Sequence, residues 1–172
     1  MGYEACLRRP PSNNPVTDVT STDIRLVRVR AVLPISLSVS LRSRCNVNGL
    51  SASGTNPPPG VCNVNAGDQL TVRWDVSTHP SPIQHFLYGP VANASTADGS
   101  GTKWAKIDVT NIVNGQFANV PMESNGGLYT FTLPKNLATG DYLLRSEMLA
   151  LHAASTVGGA QVRAIIGHRV TN

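Results

Sequence analysis

No stretch of this 172-residue sequence stays apolar long enough to cross a bilayer. Charged residues are scarce, at 14%, and no convincing amphipathic helix pattern rich in Glu, Lys and Ala is present. Gly, Pro, Ser, Thr and Asn are abundant instead, which favours short strands joined by turns. The cysteines, Cys6, Cys45 and Cys62, lack C-x-x-C spacing, which argues against a zinc site built from them. Their odd number fits either a secreted domain short of one partner cysteine or three buried thiols. A basic surplus is also missing, despite the formal net charge of +4. Four arginines, Arg28, Arg30, Arg42 and Arg44, sit in the acid-free segment 26–44, and outside it ten basic residues balance ten acidic ones. That distribution gives no electrostatic footprint for nucleic acid. Met1 to Cys6 holds no long apolar run, so no signal peptide is expected there, and Cys6 stands where a myristoylation motif wants Ser or Thr. No internal repeat is visible.

What remains is strand texture, on a length that suits one domain, 1–172. Residues 1–25, punctuated by Pro10, Pro11 and Pro15, read as an irregular entry. Ile35, Leu37, Val39 and Leu41 alternate with serines, as in a half-buried strand or an exposed ribbon. Asn65-Ala66-Gly67-Asp68 forms a turn before the alternating run Gln69–Trp74. Further runs follow at Pro82–Tyr88, closed by Gly89-Pro90, at Trp104–Val109, and at Tyr129–Leu133. Asp141–Leu151 is the longest, with Tyr142, Leu144, Ser146, Met148 and Ala150 on one side and Arg145 and Glu147 on the other, placed to pair across a sheet. Strands of this kind with turn signals between them predict an antiparallel β-sandwich. Asn93-Ala94-Ser95 is a glycosylation sequon, a triplet common by chance.

The motifs resemble those of one family. The Asn65–Asp68 turn, the strand ending at Trp74 and His79-Pro80-Ser81-Pro82-Ile83 are similar to its turn, strand and H-x-G-P loop. Gly140-Asp141-Tyr142-Leu143-Leu144-Arg145-Ser146-Glu147-Met148-Leu149-Ala150-Leu151-His152 closely resembles its G-D-Y-L-x-R-x-E-x-x-A-L-H strand, and Gly159-Ala160-Gln161 the start of G-A-Q-x-Y. Together they resemble the auxiliary-activity family nine lytic polysaccharide monooxygenases, from about Pro10 to Gln161.

The resemblance implies an all-β, immunoglobulin-like antiparallel sandwich with long loops, incomplete here at both ends, carrying one copper ion on a flat face. It implies an extracellular enzyme, expected as a monomer, that cleaves cellulose or another β-1,4-glucan oxidatively with an external electron donor. His79 matches the second histidine of the family's copper brace, and nitrogen donors suit copper. His152 and Gln161 match the pair that hydrogen-bonds the bound oxygen species. A loop histidine, a strand-end histidine and a capping glutamine, each satisfied by backbone, are the structural alternatives. His85 matches no functional position and His168 lies beyond the match.

Three departures qualify the expectation. The family's first-residue histidine has no counterpart in a sequence opening at Met1-Gly2-Tyr3-Glu4. Val162-Arg163 stands where the axial tyrosine is expected, and the closing strand that carries the partner of Cys45 is not found, so 162–172 reads as a divergent tail. Residues 26–44 interrupt the match as a non-family insertion; a translated in-frame intron here and a second one entered after Gln161 are the favoured account, and a genuine hairpin insertion the alternative. Weak copper binding and impaired activity are therefore expected. The alternative is a secreted, non-catalytic β-sandwich that binds polysaccharide or protein, although nine aromatic residues, mostly on core strands, are few for sugar stacking.

Overall fold

The computed structural model describes residues 28–31, 44–45, 62–74, 79–94, 97, 101–156, 161–165 and 169–170, with side chains described in 62–74, 79–94, 97 and 101–156. The Ile35–Leu41 alternation, Cys6 and His168 lie outside these residues. Twelve strands and one helix are formed among them: β1 (Arg28–Ala31), β2 (Arg44–Cys45), β3 (Cys62–Val64), β4 (Gln69–Arg73), β5 (Ile83–Val91), β6 (Trp104–Thr110), β7 (Ile112–Val113), β8 (Gln116–Phe117), α1 (Asn119–Ser124), β9 (Leu128–Thr132), β10 (Gly140–Ala150), β11 (Gln161–Ile165) and β12 (Arg169–Val170).

β10 organises the larger sheet. Its hydrogen-bonding edge toward β5 is used from Asp141 to Met148. On its other edge β1 occupies the first half, with Arg28 opposite Leu143, and β11 the second, with Ile165 opposite Ser146. β6 extends the sheet beyond β5, β3 pairs with β1, and β2 pairs with β11. β4 is flanked by β9 and β12 in a second sheet, and β7 and β8 form a hairpin. Pairing is antiparallel as expected, except that β1 and β3 run parallel. Residues from both ends of segment 26–44 and from 162–172 are thus paired strand residues.

Periodicity explains the burial. Leu144, Ser146 and Met148 lie opposite Leu87, His85 and Ile83 on one face of the β10–β5 pair, and all six are buried. They pack with Leu70 and Val72 of β4 and Phe131 of β9, so the two sheets share one core. Each fully buried Leu or Ile contributes about 1.5–3 kcal/mol relative to exposure. The reverse face of β10 is unusual for carrying charge. Arg145 Nε contacts Glu147 Oε1 at 2.5 Å within the strand rather than across the sheet, because residues i and i+2 share a face. The Arg145 guanidinium also lies 4.6 Å from the Phe86 ring centre and 4.3 Å from that of Trp104. Burial pushes the Glu147 carboxyl up, against the pull of Arg145 and Lys106.

Several details differ from the sequence reading. β5 does not end at Tyr88 but continues through Gly89 and a cis Pro90 to Val91. A short helix and a hairpin fill the stretch between β6 and β9. The hairpin turns at Asn114-Gly115, both with positive φ, the pattern a two-residue turn requires. Cys62 is disulfide-bonded, so it is not one of three free thiols. The expected turn at Asn65–Asp68 forms: Asn65 N–H donates to Asp68 Oδ2 at 2.7 Å and Asp68 N–H to Asn65 O at 3.1 Å. Gly127, at φ +78°, receives the Trp74 N–H on its carbonyl at 2.7 Å, and a Cβ there would collide with the Trp74 carbonyl oxygen.

Candidate functional site

His79 precedes β5 and His152 follows β10, and the pairing of those two strands brings the histidines together. The registers put Ile83 opposite Met148. Beyond that pair the chains stay joined, with Leu149 N–H donating to Pro82 O at 3.3 Å and Leu151 N–H to Pro80 O at 2.9 Å. One residue further along each chain the imidazoles of His79 and His152 stack, 4.0 Å between centres and 24° between planes. His152 is exposed and His79 half-buried, so the pair sits at the surface.

The His79 loop is anchored from below. Ser81 is fully buried, its hydroxyl donating to His79 O at 2.9 Å. Its backbone N–H donates to Asn119 Oδ1 at 2.9 Å, and Asn119 N–H donates back to Ser81 O at 3.3 Å. Asn119 is 1% exposed and its Nδ2 donates to Glu123 Oε1 at 3.1 Å. It opens α1, which the hairpin delivers through Ala118, whose N–H donates to Asn111 O at 3.0 Å. Neither Ser81 nor Asn119 was singled out from the sequence. The signal for the hairpin was present in Asn114-Gly115 between Ile112-Val113 and Gln116-Phe117, but nothing local pairs Asn119 with a loop 38 residues away.

Gln161 opens β11 with its Cα opposite Ala150, two residues before His152. Its backbone is thus on the strand beside the histidine pair; its side chain lies outside the described ones. Arg163 is opposite Met148. Among the described residues no group of three or more His, Cys, Asp or Glu side chains is gathered for a metal. Two stacked imidazoles do not converge on one ion, because their lone pairs lie in nearly parallel planes while a metal sits about 2 Å from each donor nitrogen. The geometry therefore offers one imidazole ligand with a second imidazole beside it.

His85 is a core residue. It is fully buried between the sheets, its ring stacked on Phe131 at 3.7 Å. Nδ1 lies 3.1 Å from Asp108 Oδ2, which also accepts from Tyr129 OH at 2.9 Å. A carboxylate only accepts, so Nδ1 carries the proton and Nε2 is left as a buried acceptor without a described partner. Burial holds the imidazole below its ordinary value, outweighing Asp108. Burial likewise pushes the Tyr129 hydroxyl up to about 12.

Residues 3–163 match the family model for Auxiliary Activity family 9, formerly GH61. The chain belongs to this family. It is 49% identical over 161 residues to AA9 family lytic polysaccharide monooxygenase B of Botryotinia fuckeliana, covering 93% of this chain and 42% of that protein. Monooxygenase E of the same fungus is 38% identical over 170 residues, with 92% and 61% covered. The chain thus spans about half the length of these curated relatives. Among solved structures, CvAA9A superposes with a TM-score of 0.68 at 24% identity over 97% of this chain and 70% of that one, a likeness of fold. Cel61B from Hypocrea jecorina gives 0.55 at 27% identity over 62% and 50%. The Gly140–His152 motif noted in the sequence runs along β10 and the His79 loop leads into β5, the two strands that bring His79 to His152.

Proposed function

We propose that this family 9 chain carries one side of a copper site for the oxidative cleavage of cellulose or a related β-1,4-glucan. His79 is the metal's imidazole ligand, and His152 and Gln161 flank it. Family membership supports polysaccharide oxidation as the general chemistry. The observation that carries the site is the ring contact between His79 and His152. An imidazole nitrogen is a suitable donor for copper, so the residues fit the ion as one ligand with neighbours, although the described residues supply no chelate. Copper, when bound, supplies a redox centre that an external electron donor can reduce.

The protein's own contribution is placement. The Ser81 hydroxyl and the Leu151 N–H hold the successive carbonyls of His79 and Pro80. The stacked ring of His152 limits the orientations open to His79 and brings a second imidazole beside it. Gln161 adds a residue type that both donates and accepts, on the strand beside them. Arg163 stands in the sequence where the resemblance expects the axial tyrosine, so that hydroxyl is not supplied, and the copper is held weakly. The same reading makes the protein a secreted monomer, with 26–44 an insertion and 162–172 a divergent tail. No described helix is long and apolar enough to cross a membrane.

Titration with Cu²⁺ followed by electron paramagnetic resonance tests this. Weak binding that disappears in His79→Ala is expected, with trace oxidised oligosaccharides from cellulose plus reductant. An affinity unchanged by His79→Ala, or tight stoichiometric binding, refutes it. Retention on cellulose with no oxidised product at excess Cu²⁺ would instead favour a non-catalytic binding sandwich.

A further inference from the structure

The geometry points to Asn119 as a positioning residue that sets the His79 ring against His152, an inference that rests on the copper reading only for its metal-binding arm. Three observations converge on it. Asn119 and Ser81 exchange two hydrogen bonds, Ser81 N–H to Oδ1 at 2.9 Å and Asn119 N–H to Ser81 O at 3.3 Å, in a buried environment. Ser81 passes that constraint directly to the histidine, its hydroxyl bonded to His79 O. From the His152 side, Leu151 N–H donates to Pro80 O and Leu149 N–H to Pro82 O. The His79 loop is therefore held between α1 and the end of β10, with Asn119 joining it to α1.

The second half of the amide has its own anchor. Nδ2 donates to Glu123 Oε1 one helical turn later, which orients Oδ1 toward Ser81. An oriented amide costs less freedom when it binds than a mobile one, so the clamp narrows the positions open to the loop. Alanine at 119 would leave the buried Ser81 N–H without its acceptor. Outer groups that orient metal ligands typically change metal affinity by about 10–100-fold when removed. An effect near the lower end is expected, because the Leu151 bond to Pro80 persists.

The experiment compares the wild-type chain, Asn119→Ala, and the double variant Asn119→Asp with Glu123→Gln. The double variant exchanges donor and acceptor between the two side chains and keeps an acceptor for Ser81. Two quantities are read: the nuclear Overhauser contact between the His79 and His152 ring protons without metal, and the affinity for Cu²⁺ alone. Asn119→Ala is expected to lose the ring contact and weaken Cu²⁺ by about tenfold, with β10 and β5 amide shifts unchanged. The double variant is expected to restore both to within about threefold.

Full ring contact in Asn119→Ala overturns the inference, and so does loss of that contact in the double variant, which decides the matter even if the alanine variant does not fold. Should His79→Ala bind Cu²⁺ as well as the wild type, the copper reading falls, and the ring contact still decides the role of Asn119.

Discussion

Lowering the pH from about 7.5 to about 5.5 is expected to cost the fold on the order of 1 kcal/mol through one buried side chain, His85. In the unfolded chain its imidazole takes up a proton near pH 6.5. In the folded protein burial between the sheets keeps it neutral to lower pH, even with Asp108 at Nδ1. Below about 6.5 the unfolded state then binds more protons than the native state, and stability falls with pH until the lower folded value is reached. Across this window the unfolded side takes up about one proton-equivalent, which sets the figure. Asp108 does not compete: burial raises its carboxyl, but the hydrogen bonds from His85 and Tyr129 outweigh this and hold it low, so its contribution fades only at more acidic pH. Glu147 works in the opposite direction. Its folded value is raised by burial, so protonation just above its ordinary value favours the native state. His85→Phe, which keeps a ring against Phe131, separates the two. Urea unfolding of wild type and variant at both pH values gives the difference. A wild type losing no more stability than His85→Phe would refute the reasoning, as would a folded-state His85 titration midpoint at or above 6.5.

Two further perturbations probe the scaffold. Gly127→Ala is expected to destabilise by at least about 2 kcal/mol, because φ is +78° and the new methyl would meet the Trp74 carbonyl oxygen; a shift in urea midpoint is the measurement. Leu144→Ala, at a position with no exposure, should cost about 2–5 kcal/mol. Val113→Ala, 37% exposed, should stay within about 0.5 kcal/mol, and equal costs for these two would contradict the packing described.

The alternating runs made most of the architecture legible, because a strand with one buried face writes its period into the chain. Gln69–Trp74, Trp104–Val109, Tyr129–Leu133 and Asp141–Leu151 each fall within a residue of β4, β6, β9 and β10. The β5 terminus was misread because Gly89-Pro90 is ordinarily a stop, whereas here a register shift in the pairing with β10 accommodates it. α1 is six residues long, too short for a helical period to register. At the site, His79, His152 and Gln161 were legible only as matches to family motifs; no periodicity distinguishes a loop histidine that stacks on another from one that does not. Ser81 and Asn119 were invisible because their bond is between backbone and side chain at long range. The within-strand Arg145–Glu147 contact was misplaced for a related reason: a shared face follows from sequence, a partner does not.

β10 serves as a shared spine, since β5, β1 and β11 all bond to it. Amide hydrogen exchange along it should therefore report only complete unfolding, while the His79 loop, tied by a few bonds, opens locally. The two histidines inherit this asymmetry. One follows the strand that three others pair with and the other hangs from a tether that can be retuned residue by residue, so evolution could alter the surface pair without disturbing the framework that presents it.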